Sequence, residues 1–232
     1  MDFKKTFSQG VMLYGDFTWG KGMNYVDPSG GTPYPFDYAR DYAPSGQNAT
    51  LTSSVSFVAQ LPFGPGKRFA SGVTGASRHL IAGWTFNGIL KLNTGYPYSV
   101  TTSADNLNTP YITQRADRIG NGKLTNPTAD RWFDPTAFVT PAVNPATGVA
   151  AFGNSGRNIL TGPGFSNLDL SLSKVVRLSE KFNVDFRVDA INALNHVNLG
   201  MPDATLTDPT VGQITSIFQY MREMQFGAHV RW

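Results

Sequence analysis

The chain has no cysteine. That removes disulfide frameworks, thiolate metal sites and cysteine nucleophiles together. Charge is scarce too: 15% of residues are Asp, Glu, Lys or Arg, against roughly 25% in an ordinary soluble domain. The net charge is +3 and the basic residues are scattered, which argues against nucleic acid as a partner. No stretch approaches the roughly 18 consecutive apolar residues of a transmembrane helix. The early apolar patch Val11-Met12-Leu13 is short and lacks a small-residue cleavage site, so no signal peptide is expected. His79, His196 and His229 lie far apart with no thiolate partners; no metal or other cofactor is expected.

What is present points to β-structure. Twenty-four Gly and 15 Pro accompany 12% aromatics in 232 residues, a mixture suited to strands joined by long loops rather than to a helical bundle. Six stretches alternate between apolar and polar residues. Val11, Leu13, Phe17 and Trp19 share one parity of residues 10–19, opposite Met12, Tyr14, Asp16 and Thr18. Residues 50–61 set Leu51, Val55, Phe57, Ala59 and Leu61 against Thr52, Ser54, Ser56 and Gln60. Residues 80–93 set Leu80, Ala82, Trp84, Phe86, Leu90 and Leu92 against Thr85, Asn87, Lys91 and Asn93. The pattern returns over 167–174, extendable to Val176, with Leu168, Leu170 and Leu172 on the apolar parity. It returns again over 182–190 and 223–232. Side chains of a strand point to opposite faces with period two, so each stretch reads as a half-buried strand. Most reach the roughly 9–11 residues of a tilted membrane-spanning strand.

The connections alternate as well. Residues 20–48, 99–166 and 192–220 are long and rich in Gly, Pro, Asn and Asp, whereas 177–181 is short and the link around Gly64-Pro65-Gly66-Lys67 is intermediate. With antiparallel neighbours, the long loops gather at one end, as in outer-membrane barrels with long extracellular loops and short periplasmic turns. Aromatics near strand ends (Phe17, Trp19, Phe63, Phe69, Tyr96, Tyr98, Tyr220, Trp232) fit interfacial girdles. The fold expected is all-β: an antiparallel transmembrane β-barrel segment of about six long strands, an incomplete barrel whose outer partner is lipid.

Candidate functional residues fall in two groups. Asp169, Asp185, Arg187, Asp189, Glu223 and Arg231 share the polar parity and would face a lumen. There they form a self-compensating charge ladder or a wall that meets a plug or a passing ligand. Asp169 and Asp185 on neighbouring strands also raise a glycosidase pair about 5 Å apart, but enzymatic chemistry is not expected. In the long loop 99–166, Arg115, Arg118, Arg131 and Trp132, with Tyr111, Phe133 and Arg157, combine guanidinium groups and rings suited to sugars, carboxylates or chelates. The bland alternative is a loop packed on itself. Gly64-Pro65-Gly66-Lys67-Arg68 lacks the leading Gly and following Ser/Thr of a phosphate loop and reads as a turn.

The last stretch, Gln225-Phe226-Gly227-Ala228-His229-Val230-Arg231-Trp232, resembles the C-terminal β-signal of bacterial outer-membrane proteins, carried by Gln225, Gly227, Val230 and Trp232. That resemblance implies recognition by the barrel assembly machinery. Further stretches, in order, are 7–21, the turn Leu61 to Phe69, 83–100, Asp130-Arg131-Trp132-Phe133-Asp134 to Phe138, Phe152 to Asn158, Gly162 to Ser171 and Asn192-Ala193-Leu194-Asn195-His196. Together they resemble the C-terminal barrel of Oar-like TonB-dependent receptors. The resemblance implies a plugged outer-membrane barrel energised through TonB that imports siderophores, cobalamin, oligosaccharides or peptides. On that reading residues 1–232 are one C-terminal barrel segment. The plug, the earlier strands and the coupling to TonB belong to a missing N-terminal part. The alternatives are a secreted glycan-binding β-sandwich and a small oligomeric outer-membrane pore.

Overall fold

A computed structural model describes residues 1–8, 10–26, 38–103, 114–179 and 182–232. Seven long strands form one antiparallel sheet: β1 (Asp2–Ser8), β2 (Val11–Trp19), β3 (Leu51–Gln60), β4 (Trp84–Asn93), β5 (Phe165–Arg177), β6 (Asn183–Ile191) and β7 (Glu223–Arg231). Their order across the sheet is their order in the chain. Every β2–β3, β4–β5 and β6–β7 connection therefore lies at one end, and the shorter links lie at the other.

Register explains why the alternation matters. One row crosses the whole sheet through Lys5, Leu13, Phe57, Gly88, Leu170, Ala190 and Met224. The next polar row runs through Met12, Val58, Asn87, Ser171, Asp189 and Gln225. All strands are in phase, so their apolar parities merge into one face. Gly88 makes this possible in the tightest row: a Cβ there would overlap the Phe57 ring and come within 2.9 Å of Leu170 Cδ2.

Two expectations need correction. The strands number seven rather than six, because residues 2–8 pair with β2 from Asp2↔Asp16 to Ser8↔Val11. Phe3 and Phe7 share the apolar parity, but Lys5 sits between them and the strand is exposed throughout, so its alternation is weak. Lysines on an edge strand are a usual guard against stray pairing. The strand expected from residue 80 begins at Trp84. Leu80 instead lies on a short helix, α1 (Gly75–Ile81), and Gly83 at φ +81° turns the chain into β4. A left-handed φ suits glycine and ends the strand there.

No second layer covers the apolar face among the described residues. Phe186 and Phe226 on that face are 47% and 74% exposed, which sets the β-sandwich aside. The hydrophobic core lies outside the sheet, at the loop end. There Tyr98, Val100, Ala116, Phe133, Ala137, Phe138 and Leu160 pack together. Phe133 stacks edge-on against both Tyr98 and Phe138, with ring centroids 6.0 and 5.9 Å away. Tyr98 is thus a core residue rather than a girdle residue; burial pushes its phenol pKa upward. The β6–β7 loop joins this module through Thr101 N–H to Ala204 O and Leu206 N–H to Thr101 O, both 2.9 Å. Asn192 and Asn195 take positive φ at the end of β6. The fully buried Asn192 side chain donates to His196 O (2.8 Å) and Tyr220 O and accepts from His196 N–H. That network accounts for the Asn192 to His196 motif.

Candidate functional site

The six charged residues expected on one wall do share the polar face of β5, β6 and β7 by register. Arg187 donates from Nε to both Asp189 oxygens at 2.8 Å, and Arg231 pairs with Asp185 across to β6. Asp169 accepts from Asn167 Nδ2 and Asn192 N–H, both at 2.9 Å. Glu223 is exposed at the start of β7. Asp185 stands opposite Val175, six positions along β5 from Asp169. At about 3.3 Å per residue, the two carboxylates lie about 20 Å apart. They cannot serve as a glycosidase pair.

The loop residues are bound by protein partners, Arg118, Arg131 and Trp132 within the loop 99–166 and Arg115 and Arg157 to the β2–β3 connection. Arg115 Nη1 meets the buried Asp41 carboxylate at 2.5 Å. Arg118 donates to Gly120 O at 2.7 Å and to Asn121. Trp132 Nε1 donates to Thr161 O at 2.9 Å, and its ring packs on the loop core. Arg157 donates to Asp41 O at 3.0 Å. Arg131 donates to Asp134, whose carboxylate also accepts from the Thr136 hydroxyl at 2.8 Å. The Thr136 and Arg131 hydrogen bonds hold the Asp134 pKa below the ordinary carboxylate range. This cap therefore persists at neutral pH and is lost only as acid protonates Asp134. Tyr111 lies outside the described residues.

Asp169, Arg187 and Asp189 line a shallow concavity of about 410 Å³ on the charged wall; a second one lies nearer the loops. A cleft of about 340 Å³ opens where the polar face meets the loops. Asp16 on β2 and Lys91 on β4 flank Ser54 of β3 in one row of that face. With strands about 4.8 Å apart, their backbones are about 10 Å from each other. Neither side chain makes a hydrogen bond or ion pair among the described residues. Asn93 donates to Tyr96 Oη at 3.3 Å, and its buried Oδ1 has no partner among the described residues. Phe165 and Phe218 form the apolar wall, edge-on with centroids 5.5 Å apart, beside Met201. A carboxylate, an ammonium and an amide oxygen around stacked rings can hold a ligand that is polar at its ends and apolar between. The described residues hold no cluster of three His, Asp or Glu able to bind a metal.

Sequence reasoning missed this site because its walls come from β2, β3, β4, β5 and two loops. The local signals were two lone charges, Asp16 and Lys91, each on a polar parity otherwise uncharged along its strand. Because neither charge supports the fold, Asp16→Asn and Lys91→Gln should each shift unfolding in detergent by less than about 0.5 kcal/mol. Thermal melts of the two variants check this.

A family model described as Outer membrane beta barrel domain matches residues 1–225. No curated protein and no solved structure matches the chain. Among the described residues no helix is long and apolar enough to cross a membrane; the long strands and their bare apolar face suit a bilayer instead. The chain belongs to the outer membrane beta barrel domain family, and its location is the bacterial outer membrane.

Proposed function

We propose that this chain is the non-enzymatic C-terminal part of the barrel of an Oar-like TonB-dependent receptor that takes up large, scarce ligands. The observation that carries the reading is the open sheet. Among the described residues β1 and β7 stand at its two edges, and the strand order does not close. A sheet in hydrocarbon must satisfy every backbone N–H and C=O, which demands closure. Seven strands also fall short of the smallest outer-membrane barrels, which have about eight. The remaining strands and a plug would come from the N-terminal part of the same receptor, with TonB acting only through that part.

Several features support the assignment. The motifs from Leu61 to Phe69, from Asp130 to Phe138 and from Asn192 to His196 resemble that receptor group in order. Gln225, Gly227, Val230 and Trp232 supply a β-signal for the barrel assembly machinery. In this reading Asp169, Asp185, Arg187, Asp189, Glu223 and Arg231 line the lumen against the plug. The Asp16/Lys91 cleft lies near the extracellular mouth, where a siderophore, cobalamin, oligosaccharide or peptide would first be held.

Immunodetection with an antibody against residues 192–222 tests the reading in outer membranes of the source cells. A polypeptide much larger than 25.2 kDa is expected, and its cells should lose a nutrient-uptake phenotype when TonB is deleted. A mature 25.2 kDa species that cross-links to one defined stoichiometry would replace the receptor with a small oligomeric pore.

A further inference from the structure

The link between β3 and β4 gathers basic side chains in a stretch without acidic ones. Residues 61–83 contain Lys67, Arg68, Arg78 and His79, and neither Asp nor Glu. Its apolar side chains are bare: Phe63, Phe69 and Leu80 are 40%, 48% and 74% exposed. The two phenylalanine rings lie together at 5.7 Å, and the Arg68 guanidinium sits 5.5 Å from the Phe69 ring centre. None of this helps a peptide in water.

A specific clamp fixes where the link sits. Lys174 lies opposite Trp84, both on the apolar parity of the sheet. Lys174 Nζ donates to Leu80 O at 2.7 Å and to Ala82 O at 2.8 Å, and lies 4.5 Å from the Trp84 ring centre. Trp84 Nε1 donates to the same Leu80 O at 2.9 Å. The end of α1 is thereby held against the lipid-facing side of the sheet, at the end opposite the long loops. By the usual orientation of these barrels that end is periplasmic. Exposed rings and a leucine at the edge of a membrane-embedded face, with cations and no anion among them, match the chemistry of an interfacial anchor.

We propose that residues 61–83 bind anionic phospholipid in the periplasmic leaflet. Phe63, Phe69 and Leu80 enter the acyl boundary, and Lys67, Arg68 and Arg78 contact headgroup phosphates. The Lys174–Trp84 clamp sets the depth of the link, and the occupant continues the lipid surface that already covers the sheet.

The absence of cysteine allows a single fluorescent label at Ala76→Cys on α1, with Phe226→Cys on β7 as a control within the bilayer. The labelled full chain is placed in vesicles of phosphatidylcholine and phosphatidylglycerol in equal parts, and one lipid at a time is brominated to quench the label. Brominated phosphatidylglycerol should quench position 76 at least about fivefold more effectively than brominated phosphatidylcholine. Fivefold is the factor that one basic residue supplies near an anionic surface. The preference should vanish in the Lys67→Gln/Arg68→Gln/Arg78→Gln variant. It should also vanish in the parent chain at about 1 M salt, where screening acts within about 3 Å; that arm decides alone if the triple variant does not insert. Equal quenching by the two lipids overturns the proposal. So does an unquenched position 76 beside a quenched position 226, which leaves the barrel intact. If neither position is quenched, the barrel reading fails as well.

Discussion

Leu90→Arg should destabilise the inserted sheet by about 2–4 kcal/mol, whereas Ile89→Arg, one residue away, should cost less than about 1 kcal/mol. Both replace a branched aliphatic residue by the same cation in the same strand, so hydrophobicity lost is nearly matched. What differs is the face. Leu90 lies in the row Gly15, Val55, Leu90, Leu168, with the apolar parity on every strand. Ile89 lies between Ser56 and Asp169 on the polar face, 42% exposed. An arginine at 90 must be desolvated against acyl chains; an arginine at 89 meets water and a carboxylate. Urea titrations of both variants in vesicles measure the difference. Equal losses would mean that the two faces have neighbours of equal polarity, and a lipid-facing sheet would no longer describe the protein.

Phe133→Ala should remove about 3–5 kcal/mol, but from the loop module rather than from the sheet. Phe133 is 1% exposed at the centre of the core and stacks on two rings. Deleting it leaves a cavity that Tyr98 and Phe138 cannot close, since each is anchored in its own bridge, Tyr98↔Leu160 and Phe138↔Arg118. Limited proteolysis of the inserted protein reads the effect: cleavage within 114–164 and 192–222 should accelerate strongly, while β2 to β7 stay protected. Unchanged cleavage, or loss of sheet and loops together, would deny the module a stability of its own.

The sheet was legible in the sequence because its signal is local. Period-two alternation in six of the strands needs no knowledge of the partner, and the contrast between long and short links gave the ends. β1 escaped because an edge strand has one neighbour and Lys5 interrupts its apolar parity. The start of β4 was misplaced because Leu80 and Ala82 happen to fall in phase with Trp84; only the backbone turn at Gly83 separates helix from strand. The loop arginines stood out as possible ligand contacts, but a guanidinium in a loop looks the same in sequence whether it meets a ligand or, like Arg115, a buried Asp41. The cleft was out of reach for a different reason: Asp16 and Lys91 become neighbours only through the register of β2, β3 and β4.

The loop module joins Thr101 to Thr205 by a parallel bridge, so its two halves are separated in the chain by β5 and β6. Contacts at such sequence separation close late, after their entropy cost has been met by nearer ones. The module cannot form until β5 and β6 have delivered the second half to the same side of the bilayer. Trp132, which packs on that core, is therefore a natural clock for biogenesis: its emission should change only after β5 and β6 have crossed.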